Sequence, residues 1–413
     1  MKHFLGSLCV LALFSFVTVA QEPNWNQFRG PNSDNHSAST GIAKSWPAGG
    51  PRLLWKTEGL GDRNSGFSSV TFSDDKIFTM GDIDNRAYVF ALDRTTGREL
   101  WKTDIGRGGD GGGRHVGTLG TPATDGETVF AMTQFSDFVA LDAKDGTIRW
   151  RKNTASELGG GKMSGWGYSM SPIIDGEKVL LPIGGSGGTL AAFSKAGELL
   201  WRTDWIQHPA AHTSVVPVVI EGVRQYLLLT GQALVGVSTD GEFLWGGAFP
   251  GQTAVCSDPV LCGDVIMASC SYGVGGYLYR IAKEGDTFTT YNFHGADQDL
   301  ISHHGGIVAV GDHFYLLTNR EMVCVEAKSG EIVWRNRSVG KGSLTYVDGM
   351  LIARSEGGEG EIAMVEATPE GYKELGRFEQ PDRSNKQAWA YPVVVDKKLY
   401  IRDQGVLLCY DLN

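Results

Sequence analysis

At 413 residues the chain is long enough for two or three ordinary domains, and its formal charge of −10 argues against nucleic acid or an anionic membrane as a main partner. Glycine, at 57 residues, is about twice its average usage, as a chain of many hairpins requires. No long stretch carries helical periodicity, which excludes a helical bundle and points to an all-β fold.

Residues 1–20 read as a secretory signal peptide: Lys2, an apolar run, and a small-residue end at Thr18 and Ala20, with cleavage expected before Gln21. The mature protein is then expected to be secreted or periplasmic, without a membrane span; an uncleaved anchor is the alternative. Residues 21–50 form a polar N-terminal approach segment containing WNQFRGPNSDN (25–35), expected to wrap one face of the fold.

One phrase then recurs through residues 51–413. Its clearest copy, ALDAKDGTIRW (140–150), joins an apolar strand ending, an acidic residue, a turn closed by Gly146 and a strand ending in Trp150. It returns as ALDRTTGRELW (91–101), AFSKAGELLW (192–201), GVSTDGEFLW (236–245) and VEAKSGEIVW (325–334), and LLW (53–55) is the outer half of another. We read Trp55, Trp101, Trp150, Trp201, Trp245 and Trp334 as rings that dock each repeat on its neighbour, with Tyr291 and Phe378 completing the series. Intervals of roughly 46 residues match a four-stranded propeller blade. The prediction is an eight-bladed β-propeller with blades at 66–105, 115–154, 166–205, 212–248, 253–294, 303–338, 343–379 and 388–413 joined with 51–58.

Pro122, Pro172, Pro217, Pro259 and Pro392 each open an apolar run in phase with the tryptophans. Proline cannot donate to a ladder, so these runs suit the innermost strand, whose outer edge faces the channel. Residues 53–58 look like an outer strand lacking predecessors and residues 406–413 like a third strand lacking a successor, so the two ends are expected to complete one blade.

Five cysteines follow the leader: Cys256, Cys262, Cys270, Cys324 and Cys409. An odd count without a CxxC motif reads as buried small hydrophobes, with a Cys256–Cys270 bridge across one hairpin as the alternative. GGSGG (184–188) matches the serine-hydrolase pattern but lies between two strands, and GRGGDGGGRHVG (106–117) precedes no helix, so both read as loops. DIDN (82–85) reads as a polar hairpin turn.

The phrase A-L-D-x-x-x-G-x-x-x-W, its spacing and the eightfold count resemble the pyrroloquinoline quinone (PQQ) repeat propellers. That superfamily includes quinoprotein alcohol dehydrogenases and the outer-membrane assembly factor BamB, which has the fold without the cofactor. WNQFRGPN (25–32), SHHGG (302–306) and QPDRSNKQAWAYP (380–392) are more similar to secreted PQQ-like propellers than to the dehydrogenases. The resemblance implies a non-catalytic binding or assembly scaffold with no cofactor and no catalytic residue. Its rival is a PQQ-dependent dehydrogenase, with PQQ and calcium, oxidising an extracytoplasmic alcohol or polyol. The adjacent-cysteine disulfide common over the quinone in those enzymes has no counterpart here.

Within a ring of eight, segments leading into the inner strands converge on the axis. Trp166, Tyr168, His303, His304 and Trp389 fall on such segments in three blades, and Arg383 lies beside Trp389 as a charge for an anionic group. These six are the candidate ligand-binding residues, for an unknown protein, small molecule or carbohydrate at the channel mouth. His208 and His212 precede another inner strand. The competing reading is that the imidazoles plug the channel and bond to each other. No carboxylate stands at a metal-ligand spacing, so no metal site is assigned.

Overall fold

The computed structural model describes residues 25–62, 66–109 and 117–413; the leader and most of the 106–117 loop lie outside the described residues. Eight antiparallel sheets of four strands follow one another around a ring. In blade 2 the strands, from the axis outward, are Ala123–Thr124, Thr128–Met132, Asp137–Asp142 and Ile148–Asn153. Thr128–Met132 is buried throughout because neighbouring blades cover both faces, whereas Ile148–Asn153 alternates between half-buried and exposed at the rim.

Register explains the tryptophan phrase. Trp101, Trp150, Trp201, Trp334 and Trp55 lie opposite Ala91, Ala140, Ala192, Cys324 and Cys409, so each ring crosses a small third-strand residue. Beyond it lies the glycine of the next blade's phrase. A Cβ at Gly97, Gly146, Gly197 or Gly241 would meet the ring of Trp55, Trp101, Trp150 or Trp201 at 2.5–2.9 Å, and all four have positive φ. Only glycine supplies both the turn and the space. The indole nitrogens of Trp150 and Trp334 donate to Lys195 O and Thr368 O of the following blades, both at 2.9 Å.

Two rings depart from the expected pattern. Trp245 reaches the core shared with blade 5, but it is fully buried over Gly236 and its nitrogen donates to Gln225 of its own blade at 2.6 Å. Tyr291 does not dock at all: it is 54% exposed. Blade 5 has a long third strand, Gly275–Glu284, and a bulged outer strand, Thr287–Asp297, so the position opposite Leu278 is His294. It is Leu278 and His294 that meet Gly330 of blade 6. Phe378 is buried as expected, yet the tryptophan position of blade 7 is Gly376, opposite Met364, and the ring over it is Trp46 from the N-terminal segment. Trp46 and Phe378 meet edge to face at 5.4 Å.

The ring closes as the ends predict. Leu53–Thr57 pairs with Val406–Asp411 to make the outer strand of blade 8, and Arg52 bonds Asp411 at 2.7 Å alongside. The arginine and Asn413 hold the Asp411 carboxyl down to about 2.

Residues 25–37 of the approach segment lie around the axis against the inner strands, and residues 39–46 then run outward over blades 7 and 8, where Lys397 N donates to Ser39 Oγ at 3.3 Å, Gly41 N to Asp348 Oδ2 at 3.0 Å and Ala43 N to Leu412 O at 2.7 Å. An innermost strand presents unpaired backbone groups, and the segment satisfies them blade after blade. Phe72 N donates to Trp25 O at 2.9 Å, Thr124 N to Asn26 O at 2.8 Å and Ile174 N to Gln27 Oε1 at 2.8 Å. Arg29 donates to Ile307 O at 3.2 Å, Tyr346 N to Asn35 O at 2.9 Å, and Ser37 Oγ to Val394 O at 2.7 Å. His36–Ser37 adds a parallel fifth strand to blade 7.

All five cysteines of the described residues are free, so the Cys256–Cys270 bridge is not formed. Asp84 and Asn85 make the DIDN hairpin turn with positive φ, and GGSGG is a single 3-10 turn between two strands. Among the described residues no helix is long and apolar enough to cross a membrane.

Candidate functional site

A cavity of about 320 Å³ sits at one mouth of the channel, and every blade contributes the segment leading into its inner strand. In chain order these bring Ser69, Thr121, Trp166, His212, Cys256, the pair His303 and His304, Lys341, and Trp389 with Tyr391. Phe28 of the channel segment also lines the cavity, and meets Tyr391 edge to face at 5.2 Å. Trp389 lies against Phe67 at 4.5 Å, and Trp166 against His212 at 6.0 Å.

The SHHGG stretch is shaped by its glycines. Gly305 and Gly306 have φ of +117° and +112°, and a Cβ on them would fall 1.3 Å from Tyr391 Oη and 2.7 Å from Leu344 N. The chain therefore passes close under blades 7 and 8 and turns both imidazoles inward. Tyr391 Oη donates to His304 O at 3.0 Å, and Ser302 N to Ser269 Oγ at 2.7 Å, which fixes the backbone on either side.

Glu356 faces the histidines. Its carboxylate accepts from Trp389 Nε1 at 2.7 Å and from Lys341 Nζ at 2.8 Å, and its Oε1 is 3.8 Å from His304 Nδ1. His303 Nε2 lies 3.1 Å from Tyr272 Oη, while neither ring nitrogen of His304, 8% exposed, has a hydrogen-bond partner among the described residues. His212 is held between Ser164 Oγ, 2.7 Å from Nε2, and Ser169 Oγ.

Burial sets the electrostatics. It lowers His304 to about 3 and both His303 and His212 to about 4, so all three are neutral imidazoles at physiological pH. Burial works to raise the Glu356 carboxyl, but the charge His304 carries in acid, where both groups titrate, together with Lys341 and Trp389, outweighs it and holds the group below its usual range.

Of the six candidates, Trp166, His303, His304 and Trp389 line this one cavity. Tyr168 points into the blade 3 core instead, 5% exposed, with its hydroxyl 3.4 Å from Ile183 O. Arg383 is turned away: it pairs with Asp403 at 2.8 Å and donates to Glu356 O at 2.9 Å, so it braces the segment and leaves Lys341 as the cation on the cavity wall. His208 lies outside, near Thr230 at 3.0 Å. His303 and His304 do not bond to each other, and the channel is filled by residues 25–37.

Sequence reasoning passed over Glu356 and Tyr272. Both follow a second strand, Met350–Ser355 and Val265–Cys270. In an antiparallel meander the chain leaves its second strand at the end where it entered the first, so these hairpin loops share the mouth with the lead-in segments.

The family model described as outer membrane protein assembly factor BamB matches residues 85–296 and 275–369. The chain belongs to this family. A BamB relative from Moranella endobia is 24% identical over 305 residues, 69% of this chain and 71% of its own. Among solved structures, BamB of Moraxella catarrhalis superposes with a TM-score of 0.60 at 14% identity, covering 87% of this chain and 97% of that one. A quinohemoprotein alcohol dehydrogenase from Pseudomonas putida gives 0.65 at 13% identity, covering 94% and 80%. These two likenesses concern fold alone, which both members share across different activities.

Proposed function

We propose that this BamB-family propeller is an extracytoplasmic, non-catalytic scaffold that binds a small ligand or a partner's side chain in the axial cavity. The observation that carries the reading is the convergence of eight blades on one cavity floored by Phe28 and walled by Trp166, Phe67 and Trp389. Its aromatic faces suit a sugar ring or an aromatic side chain, and its volume sits at the lower end of ligand pockets. The names of its relatives, assembly factors of the outer membrane, support a scaffold role.

The dehydrogenase reading rests on fold likeness. PQQ is a tricarboxylate quinone, and among the described residues the lining offers it one cation, Lys341, already paired with Glu356, whose own carboxylate repels such a ligand. This donor set does not fit the cofactor, and no catalytic step is assigned to it.

Intrinsic tryptophan fluorescence tests the proposal by titration with monosaccharides, disaccharides, aromatic amino acids, and PQQ with calcium, beside a dye-linked alcohol oxidation assay. The expected result is saturable quenching by a sugar or aromatic probe that is lost in Trp389→Ala, without turnover. Alcohol oxidation dependent on PQQ and calcium would overturn it.

A further inference from the structure

We infer that His303, His304 and Glu356 form a binding site for a divalent transition-metal ion of the zinc class. Each offers one ligand atom, and the three atoms lie within 4.8 Å of one another. The inference goes beyond the scaffold reading and does not depend on which organic ligand, if any, the cavity takes.

Four observations converge. The His304 imidazole is almost completely buried yet has no hydrogen-bond partner among the described residues, an uncommon state for a polar ring unless it has another partner. Its Nδ1 is 3.8 Å from Glu356 Oε1, too far for a hydrogen bond and suited to an ion between them. The outer contacts match those that orient metal ligands: Tyr272 Oη sits on His303 Nε2, and Trp389 and Lys341 grip the Glu356 carboxylate. Finally, Gly305 and Gly306 fix the chain where side chains would clash, so the histidine pair is placed before any ion arrives.

Ligand type selects the metal. Two imidazoles and one carboxylate suit zinc, and also nickel or copper, whereas calcium and magnesium ask for an oxygen cage. Three protein ligands leave a coordination position open toward the cavity, as in zinc sites that take water or a ligand oxygen. Lys341 holds Oε2 of Glu356, and Trp389 Nε1 donates to Oε1, the oxygen that faces His304 and keeps a lone pair for an ion.

The test is calorimetric titration of the full-length, chelator-treated and tag-free protein with Zn²⁺, paired with Co²⁺ absorption. One zinc per chain is expected, with a visible cobalt spectrum. His304→Ala and Glu356→Gln should each weaken zinc by at least ~10-fold and abolish the cobalt bands. Absence of stoichiometric zinc, or equal affinity in wild type and both variants, overturns the inference. Should His304→Ala fail to fold, His303→Ala, at a half-buried position, is judged by the same criteria. A protein that binds zinc but no sugar, aromatic or PQQ probe would sink the cavity proposal and leave the metal site standing.

Discussion

Arg29 and Asp258 form an ion pair inside the ring: Nη1 and Oδ2 are 3.5 Å apart, and both side chains are at most 4% exposed. The arginine belongs to the segment threading the channel, and the aspartate leads into the inner strand of blade 5, where it also accepts from Ser214 N at 2.8 Å. This pair pins the axial segment, ahead of its short strand His36–Ser37, to the propeller.

Arg29→Ala removes the pair and the bond to Ile307 O, leaving a buried carboxylate without its cation. Breaking such pairs costs about 3 kcal/mol. At about 2 cal/mol/K per residue, the unfolding entropy of a chain this long makes that a fall in Tm of only ~4 °C. Differential scanning calorimetry should show it, and an unchanged Tm would mean that the segment is not held by this contact.

Burial pushes the Asp258 carboxyl up to about 6, against the pull of Arg29 and Ser214. A raised acid binds its proton more tightly in the folded state, so its contribution to stability grows as pH falls through 6 and is complete below the unfolded value near 4. The span corresponds to about 3 kcal/mol. Melting curves from pH 4 to 7 should therefore show this component declining as pH rises, and Asp258→Asn should remove that slope.

Trp46 stands outside every repeat yet occupies the ring position that Gly376 vacates in blade 7. Trp46→Ala is expected to cost about 3–5 kcal/mol, as Trp150→Ala should, because each empties one blade interface. Comparable Tm losses in the two variants are the expected outcome; a silent Trp46→Ala would show the interface to be filled without it.

Removing residues 406–413 strips blade 8 of its third strand and leaves Leu53–Thr57 without a partner. Two open sheet edges should give an insoluble product or one without a cooperative melt by circular dichroism. A soluble truncation melting within a couple of degrees of the full chain would contradict closure by the two ends.

Blade number, phase and closure were legible in the sequence because each depends on contacts that repeat: a tryptophan over a small residue such as Ala140 or Cys409, and a turn glycine such as Gly146 beneath the next ring. A repeated contact leaves a periodic trace, and Tyr291 misled only because a bulge in blade 5 broke the period. Four of the six candidate site residues could be placed because the lead-in segments share the same phase. The rest had no such trace. Tyr168 and Arg383 lie at suitable positions, but their side-chain directions were set by the blade 3 core and by Asp403. Glu356 meets His304 only because two blades close side by side, and the 25–37 segment finds its partners only once a ring of unpaired inner edges exists. The sequence by itself determined the blades and their order; the closed ring decided what fills the axis, since hydrogen bonds and ion pairs there join residues that no periodicity relates.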